Sequence, residues 1–342
     1  MTNFLNKNKI FIIAEIGVNH NNNLVIAKKL IIEAKKAGAD AVKFQTFSAQ
    51  NLVIPGTRKV KYQKQGSSDK ETHYEMIKKL ELSLNHHKKL FKFCKKKKIT
   101  FLSTPYDVKS AKFLKALGVK IYKTASADLT DIDLQTYLAK TKKNVIISTG
   151  MSTISEIQET LKIYQKYKNK NYALLHCVSN YPCKHESINL SAMNLLKENF
   201  KCQVGYSDHS SGNLAACLSV AFGAKIIEKH FTLNKKMKGP DHKASCTPSE
   251  LKSYINDIRL SEIILGKKIK NIQKEELEMS RISKKSLYFK KDFLKGKVLR
   301  ADDLIALRPA KGISPMKKFK LIGITLKKNV KENDLVKFNL LK

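Results

Sequence analysis

Short runs rich in isoleucine and valine recur eight times along the first two thirds of the chain, with helical patterns between them. A strand buried on both faces gives a continuous apolar run, and alternation of such runs with helices indicates a parallel sheet. Eight repeats favour closure of this sheet into an α/β TIM (β/α)8 barrel. The predicted strands span residues 9–17, 41–47, 99–105, 120–126, 144–150, 172–179, 202–208 and 224–231.

Amphipathic stretches between these runs predict helices, two of which carry capping signals at Ser155 and Ser191. The segment from residue 48 to residue 82 is too long for a plain turn after a strand, so we predict a functional lid there. The helical stretches that we predict span residues 23–36, 83–96, 108–117, 155–167, 187–198 and 213–222.

The sequence changes character towards its C-terminus. A predicted helix at residues 250–265 closes a barrel domain that we assign to residues 1–270. Residues 271–284 are charged and lack strand periodicity, which predicts a linker. Residues 285–342 hold short alternating segments between turn residues, which predict a small, mostly β module. Within it, residues 293–299 weakly resemble residues 330–336.

The basic composition does not, in our interpretation, indicate a nucleic-acid partner. The chain of 342 residues has a net charge of +37, but its lysines are spread over the whole length and it contains no tryptophan. We predict a solvated, lysine-rich surface whose positive field attracts an anionic substrate.

Other composition features bear on the compartment. No run approaches the ~20 apolar residues of a membrane span, and residues 1–9 lack the pattern of a signal peptide. The six cysteines form no C-x-x-C pair. We therefore expect a cytoplasmic protein with reduced thiols and no membrane partner.

Polar groups follow most of the predicted strands, at the end of a barrel where catalytic residues are found. Lys43 and Lys123 would be buried there, and an unpaired buried ammonium is so unfavourable that each needs an anion or a carboxylate. With Thr104, Ser126 and Ser148 they form a predicted cradle for a phosphate and a carboxylate. The alternative is that the lysines form structural salt bridges to Glu15 or Asp128.

His209 and His230 lie at the ends of two neighbouring predicted strands. Two imidazoles near carboxylates suit Mn²⁺, Zn²⁺ or Fe²⁺, although a pair of hydrogen-bonded core histidines is the alternative. Asp241, in a Gly-Pro-Asp turn, is placed to orient a polyol or to accept a proton, unless it only forms the turn. His176 stays open between ligand, orienting group and core residue, and we expect His87 at the surface.

Nine short motifs in this order resemble the bacterial sialic acid synthases, which include the N-acetylneuraminate, legionaminate and pseudaminate synthases. The tail at residues 307–315 resembles the antifreeze-like (SAF) domain of that family. The matching motifs lie at residues 14–20, 41–45, 103–105, 122–126, 148–151, 176–182, 207–209, 228–231 and 239–241.

The resemblance implies condensation of phosphoenolpyruvate with an open-chain N-acetylated amino-sugar aldehyde, either N-acetylmannosamine or a 2,4-diacetamido-trideoxyhexose. Carbon 3 of phosphoenolpyruvate would attack the aldehyde, and water would add at carbon 2 as phosphate leaves. The product would be a nine-carbon 2-keto sugar acid. His209 and His230 would hold Mn²⁺ or Mg²⁺ as a Lewis acid for the aldehyde oxygen.

The resemblance also implies roles for single residues. Glu15, Lys43, Lys123 and Asp241 would be catalytic, and Arg308 would reach the sugar of the partner subunit in a domain-swapped homodimer. At Asp128 the family often has glutamate, and where it often has asparagine this chain offers Ser179 or Asn180. The remaining substrate contacts that the resemblance implies are Gln45, Thr104, Ser126, Ser148, Tyr181 and Ser207.

Three other functions compete with this interpretation. A class I aldolase would use Lys123 or Lys43 as a Schiff base with pyruvate. A synthase of the aromatic or 3-deoxy-octulosonate pathways would also use phosphoenolpyruvate, but the C-terminal module argues against it. A non-catalytic polyanion-binding protein would explain the charge and would lose affinity steeply with salt.

Overall fold

The computed structural model describes residues 9–60, 63 and 71–342. The chain divides into two compact units, Met1–Gly266 and Lys267–Lys342. We predicted that the barrel domain extends to residue 270.

Eight parallel strands of the first unit form a nearly closed barrel, which confirms the predicted TIM-like fold. Their order in the sheet is β3-β2-β1-β8-β7-β6-β5-β4, and each pair of neighbours is parallel. The strands are β1 (Phe11–Gly17), β2 (Ala41–Thr46), β3 (Thr100–Pro105), β4 (Ile121–Thr124), β5 (Asn144–Ser148), β6 (Tyr172–His176), β7 (Gln203–Asp208) and β8 (Ile226–His230).

Helices follow the strands, and each of the predicted helical stretches overlaps one. The structure adds α6, whose N-terminus is capped by Asp131. The predicted cap at Ser155 is wrong, because Thr153 forms a capping box with Glu156 instead. Ser191 stands at an N-cap position but makes no capping hydrogen bond through its side chain. The helices are α1 (Leu24–Ala37), α2 (Ala49–Leu52), α3 (His73–Leu80), α4 (Leu84–Lys97), α5 (Val108–Leu117), α6 (Ile132–Lys140), α7 (Ile154–Lys166), α8 (Ala192–Phe200), α9 (Leu214–Ala221) and α10 (Pro248–Leu265).

Two apolar layers stabilise the barrel. The outward side chains of the strands pack against the helices and form the large core. The inward side chains fill the barrel, so that the interior is a packed core and a ligand site is left only at the strand ends. This inner layer consists of Ile13, Ala41, Leu102, Ile146, Ala173, Leu175 and Ile226.

The predicted lid after β2 contains the two short helices α2 and α3. Thr72 and Glu75 form a capping box at the start of α3. The apolar face of this segment, with Phe47, Met76 and Ile77, forms a small separate core beside the barrel mouth. The glycine and serines predicted to be part of the lid at residues 66–68 lie outside the described residues.

The second unit begins at Lys267, ahead of the predicted linker at residues 271–284, and part of that linker forms helix α11 (Leu277–Ser283). It continues with an antiparallel pair, β9 (Ser286–Phe289) and β10 (Leu304–Leu307), and several isolated antiparallel bridges. Its small core includes Leu287, Phe289, Leu304 and Val336. The unit thus has few regular strands, and its assignment as an antifreeze-like domain remains a prediction.

The weak internal similarity of the second unit has a structural counterpart. Phe293 and Val330 exchange both backbone hydrogen bonds, each 2.9 Å long. Gly296 donates from its backbone N–H to the carbonyl of Leu326, and the equivalent Asn333 donates to the carbonyl of Phe289. The two copies therefore bind each other about an approximate twofold axis.

Candidate active site

A cavity of about 550 Å³ opens at the C-terminal ends of the barrel strands. This position is the one at which catalytic residues of α/β barrels are found. The predicted site residues that line it are Glu15, Lys43, Gln45, Lys123, Ser126, Asp128, Ser148, Ser179, Tyr181, Ser207, His209, His230 and Asp241.

Lys43 on β2 and Lys123 on β4 are both buried and reach into the same part of the cavity. The Nζ atom of Lys43 lies 3.1 Å from Oε1 of Glu15 and donates to Oγ1 of Thr104 at 3.2 Å. The salt bridge to Glu15 that we considered as an alternative is therefore present. Thr104 holds the lysine but is not one of the residues that line the cavity.

Glu228 on β8 belongs to the motif at residues 228–231, but our sequence analysis gave it no role in the site. Its Oε1 lies 3.6 Å from Nζ of Lys123, and its Oε2 lies 3.6 Å from Nζ of Lys43. Ser207 donates a hydrogen bond to Oε1 at 2.9 Å. The signal was present in the sequence, because alternate residues of a strand share a face and Glu228 is two residues before His230.

Burial and charge act in opposite directions on these groups. Burial raises the pKa of Glu15 to about 7, and the nearby Lys43 only partly offsets this. Burial also disfavours the charge of Glu228, but attraction to Lys123 and Lys43 prevails and lowers its pKa to about 2. For Lys123 burial prevails over Glu228 and lowers the pKa, which leaves this ammonium in need of a further anion.

Small side chains surround Lys123 on the β4–β6 side of the cavity. Ser148 accepts a hydrogen bond from Nζ of Lys123 at 2.5 Å, and Ser126 accepts one from the N–H of Gly150 at 3.0 Å. A Cβ atom at Gly150 would lie 2.6 Å from Oγ of Ser179 and 2.9 Å from Oγ of Ser126. Only glycine fits at position 150, and it keeps the hydroxyls close together.

Asp128 is a further buried residue that lines the same cavity. Burial, reinforced by Asp131, raises the pKa of its carboxyl to about 7. Its Oδ2 atom is buried without a hydrogen bond. A buried carboxyl in this state is expected to take a hydrogen-bonding partner from a ligand.

His209 and His230 face each other with ring centroids 5.6 Å apart. The Nδ1 atom of His209 lies 2.7 Å from the carbonyl of Val178, so this nitrogen carries the proton and Nε2 keeps its lone pair. Nδ1 of His230 is buried without a hydrogen bond and lies 3.9 Å from Oδ2 of Asp241. Burial lowers the pKa of His209 to about 4 and that of His230 well below its usual range.

Neutral imidazoles with a free lone pair are the form in which histidine binds metals. Within the described ranges, however, no three histidine, cysteine or carboxylate side chains converge closely enough to hold an ion by themselves. The donor set is therefore two imidazoles, with Asp241 close by, and any ion would need oxygen atoms from water or substrate.

Three polar groups converge above Gly17 at the end of β1. A Cβ atom on this residue would lie 3.2 Å from Oε1 of Glu15, 3.3 Å from Nε2 of Gln45 and 3.7 Å from Oδ2 of Asp241. Gly17 also has a φ of +53°, which side chains rarely tolerate. Burial raises the pKa of Asp241 to about 6, against the attraction of Lys43. Glycine is therefore required at position 17, because a side chain would crowd these polar groups.

The wall of the cavity that comes mainly from the lid is mostly apolar, with Gln63 and His73 as polar members. The side chains pack on one another as well as facing the cavity. The site therefore has a charged floor and an apolar side. The apolar lining residues are Val18, Phe47, Leu52, Val53, Val60, Met76, Ile77, Leu80 and Tyr106.

The remaining predicted residues lie elsewhere. Asn180 is exposed, accepts a hydrogen bond from the N–H of Tyr181, and is not among the cavity residues, whereas Ser179 is. Arg308 is exposed in the second unit. His176 anchors its Nε2 on the carbonyl of Ile188 at 2.6 Å and does not line the cavity.

The expectation that His87 lies at the surface is wrong, because this residue is fully buried. Its Nδ1 lies 3.0 Å from the carbonyl of Ser83, and its Nε2 lies 2.9 Å from Oγ1 of Thr46. The imidazole thus supports the end of β2 beside Gln45.

Fold and site together define an α/β barrel with a cavity at its strand ends that is lined by two buried lysines. The chain belongs to the NeuB family, which it matches over residues 30–270. The N,N'-diacetyllegionaminic acid synthase of Campylobacter jejuni is 45% identical over 331 residues, which cover 96% of this chain and 99% of that relative. The synthase of the same name from Legionella pneumophila is 43% identical over 324 residues, which cover 94% of this chain and 91% of that relative.

A solved structure supports the same assignment. N-acetylneuraminic acid synthetase from Leptospira borgpetersenii, crystallised with citrate, superposes with a TM-score of 0.73 at 35% sequence identity. The match covers 82% of this chain and 93% of that one. The predicted family is confirmed, and the chain is an enzyme of the sialic acid-type synthases. Among the described residues no helix has the length and apolar character needed to cross a membrane.

Proposed function

We propose that this enzyme condenses phosphoenolpyruvate with a 2,4-diacetamido-trideoxyhexose in its open-chain form, giving a nine-carbon 2-keto sugar acid and phosphate. The observation that carries the proposal is the pair of buried lysines, Lys43 and Lys123, facing the same cavity as two neutral imidazoles. A single glutamate, Glu228, lies between the two ammonium groups. A small molecule with several negative charges complements such a floor.

Phosphoenolpyruvate is proposed to bind between the lysines. Lys123 and Ser148 face its carboxylate and phosphate together with Ser126, Ser179 and Ser207, while Thr104 holds Lys43 in place. Lysine charges placed in a water-poor cavity stabilise both the bound anion and the charge that builds up on phosphate as it leaves. Of Ser179 and Asn180, Ser179 is the better candidate for the contact with phosphoenolpyruvate, because only Ser179 lines the cavity.

The sugar aldehyde is proposed to lie above Gly17, where Glu15, Gln45 and Asp241 converge. Carbon 3 of phosphoenolpyruvate forms a bond to the aldehyde carbon, and the aldehyde oxygen gains a proton. Glu15 can supply it, because its raised pKa lets Oε2 hold a proton near neutral pH. Water then adds to carbon 2 and loses a proton. The proton from water returns to Glu15. The C–O bond to phosphate then breaks, phosphate leaves with the electron pair and takes the proton of the carbon 2 hydroxyl, and carbon 2 becomes the ketone.

A divalent ion, Mn²⁺ or Mg²⁺, is proposed as the cofactor. His209 and His230 fit this group: both are neutral, and Val178 orients the ring of His209 so that its Nε2 is available. When bound, the ion would supply a Lewis acid for the aldehyde oxygen. Tyr181 packs on the ring of His209, with centroids 4.1 Å apart, and limits its rotation.

The choice of sugar rests on two observations. The two legionaminic acid synthases are 43–45% identical to this chain, against 35% for the N-acetylneuraminic acid synthetase. The apolar wall of the lid also suits methyl groups better than hydroxyl groups. N-acetylmannosamine remains the competing substrate.

The test is phosphate release from phosphoenolpyruvate with Mn²⁺ and each candidate sugar in turn. We expect release only when Mn²⁺ and the diacetamido sugar are both present, and much slower release with N-acetylmannosamine. His209→Ala and His230→Ala should fold but lose turnover by orders of magnitude. Equal turnover in a chelator-treated enzyme would contradict the metal, and release with no sugar would contradict the condensation.

The lowered pKa of Lys123 is the one observation that favours a Schiff-base aldolase. Borohydride added with pyruvate would trap such an intermediate as a covalent adduct of Lys123. We expect no adduct, because Ser148 and Glu228 already hold the ammonium group.

A further inference from the structure

Asp208 and Lys229 belong to the two histidine motifs but point away from the cavity. Side chains alternate along a strand, so the residue before each cavity-facing histidine lies on the outer face of the barrel. Both are nevertheless buried, with 1% of Asp208 and 3% of Lys229 exposed. Tyr254 of helix α10 covers them and is itself fully buried.

These residues form one ion-pair cluster in which the polar atoms are satisfied. Nζ of Lys229 lies 2.9 Å from Oδ2 of Asp208 and also donates to the carbonyl of Ser210. The hydroxyl of Tyr254 donates to Oδ2 of Asp208 at 2.9 Å. The other carboxylate oxygen accepts from N–H of Ser210 at 2.8 Å and from its Oγ at 2.6 Å.

The cluster stands where the hydrogen-bonded ladder between β7 and β8 stops. The last paired residues of that ladder are Asp208 and Lys229. His209 and His230 are the next residues along each strand, so no ladder between these two strands fixes their spacing. The ion pair is the last direct link between the strands before the two imidazoles.

Stability alone does not account for such a cluster. The surrounding layer between sheet and helices is apolar, with Val204, Ile227 and Phe231 nearby in the sequence. Replacing a buried ion pair by well-packed apolar residues is often neutral or stabilising. Mutation of groups that hydrogen-bond to metal ligands, in contrast, commonly changes metal affinity by 10- to 100-fold.

We propose that Asp208, Lys229 and Tyr254 are positioning residues that fix the separation of His209 and His230 and so prepare them for a divalent cation. This inference rests on the proposed function in assuming that the two imidazoles bind the ion. The cluster touches neither the cation nor the substrate. It acts by holding the ends of β7 and β8 at one distance and in one register.

The test measures Mn²⁺ binding by calorimetry and by electron paramagnetic resonance in the full-length chain. The main variant combines Asp208→Asn with Lys229→Met, which removes both charges but keeps an acceptor for Ser210. We expect this variant to fold and its dissociation constant for Mn²⁺ to rise about tenfold. Its affinity for phosphoenolpyruvate without metal should stay unchanged.

A matched control uses an ion pair at the other end of the barrel. Arg259 lies 2.8 Å from Asp40, which directly precedes β2. Combining Asp40→Asn with Arg259→Met should lower thermal stability without changing Mn²⁺ affinity. A purely structural cluster at Asp208 and Lys229 would give this same result, with lower stability and unchanged binding.

A milder variant, Tyr254→Phe, removes one hydrogen bond to Asp208 and keeps the packing. It should weaken Mn²⁺ binding in the same direction but less, and it serves if the double variant does not fold. Unchanged Mn²⁺ affinity in the folded variants would overturn the proposal. If His209→Ala leaves Mn²⁺ binding of the otherwise unaltered chain intact, the proposed metal site itself fails, and this inference with it.

Discussion

Glu15 and Glu228 are both buried in the same cavity, yet they have opposite protonation behaviour. Glu228 lies between two ammonium groups and stays ionised, whereas Glu15 is near Lys43 alone and its pKa rises to about 7. Two carboxyl groups with pKa values driven apart can serve as a proton donor and a fixed charge. We assign the first role to Glu15 and the second to Glu228.

The protonation of Glu15 leads to a prediction about pH. If the protonated form donates to the aldehyde oxygen, kcat/KM should fall as pH rises through about 7, where the free enzyme loses this proton. Glu15→Gln should lower kcat by 10²–10⁴-fold, roughly the contribution of general acid catalysis, and remove this limb of the profile. Asp241→Asn is the comparison that should retain it. A Glu15→Gln enzyme with full turnover would refute the role.

Glu228 leads to a prediction about stability. Glu228→Gln leaves two buried ammonium groups without their shared carboxylate, and breaking a buried pair in this way costs about 3–5 kcal/mol. Bound phosphoenolpyruvate would supply negative charge in its place. Its stabilising shift in thermal unfolding should therefore be larger in the variant than in the unaltered chain.

The control for this experiment is Glu33→Gln, which removes the partner of an exposed lysine on α1. Exposed pairs contribute about 0–1 kcal/mol, so little change is expected. Identical ligand-induced shifts in all three proteins would mean that phosphoenolpyruvate does not bind at Glu228.

Sequence reasoning found most of the residues of this site, for a physical reason. The ends of parallel barrel strands meet at one mouth, so polar residues there were expected to gather, as Lys43, Lys123 and His230 do. It gave Glu228 no role, because nothing local in the sequence shows that this carboxylate lies between Lys43 and Lys123. It placed His87 at the surface because two partners of this imidazole, the hydroxyl of Thr46 and the carbonyl of Gln45, are about 40 residues away in sequence.

At the level of elements, the proposed function gives the lid the role of presenting an apolar surface to one part of the sugar. Met76 and Ile77 of α3 face the cavity and also pack with Phe47 at the end of β2. A hydrocarbon wall favours a deoxygenated or acetylated position over a free hydroxyl, but one methyl group contributes only about 1–3 kcal/mol.

The corresponding prediction concerns substrate preference. Met76→Gln keeps the length of the side chain and adds a polar end to the wall. We expect kcat/KM for the diacetamido sugar to fall about tenfold, within the range for one apolar contact, with little change for N-acetylmannosamine. Lys78→Gln, on an exposed position of the same helix, is the matched control. Equal losses for both sugars would show that the wall does not discriminate.

The elements also show where local sequence signals stop. The eight strands of the barrel and most of its helices were located from the sequence because their apolar periodicity is strong, but α6 was not predicted. The start of α7 was misplaced because Thr153 and Ser155 are both good N-cap residues. Glu156 favours Thr153, because its side chain binds the backbone N–H of Thr153 in a capping box. Helix α11 was taken for a linker because its residues are largely exposed and carry no apolar stripe.

On the scale of the whole molecule, we retain the proposal of a domain-swapped homodimer in which Arg308 serves the partner barrel. It predicts complementation between two inactive variants, Lys123→Met and Arg308→Ala. A refolded mixture should regain about a quarter of the unaltered activity, because half of the random dimers hold one intact site. No recovery from such a mixture would show that Arg308 acts within its own chain or not at all.

The sequence predicted two domains, but it did not predict how the strands of the small unit pair. Burial of large apolar faces made the barrel evident, while the small unit depends on isolated backbone bridges that leave no periodic pattern. Its repeated segments were visible only as a faint similarity, since the repetition lies in backbone geometry more than in side chains.

That repetition has a consequence for how the small unit forms. Each copy sends its N–H groups to carbonyls of the other, as at Phe293 and Val330, and Asp292 and Asn329 each cap the opposite copy. Each repeated segment supplies hydrogen-bond partners for the other, so one segment alone lacks these partners. The unit should therefore fold in a single cooperative step once both segments have been synthesised. A chain that ends between them should leave the first segment unfolded.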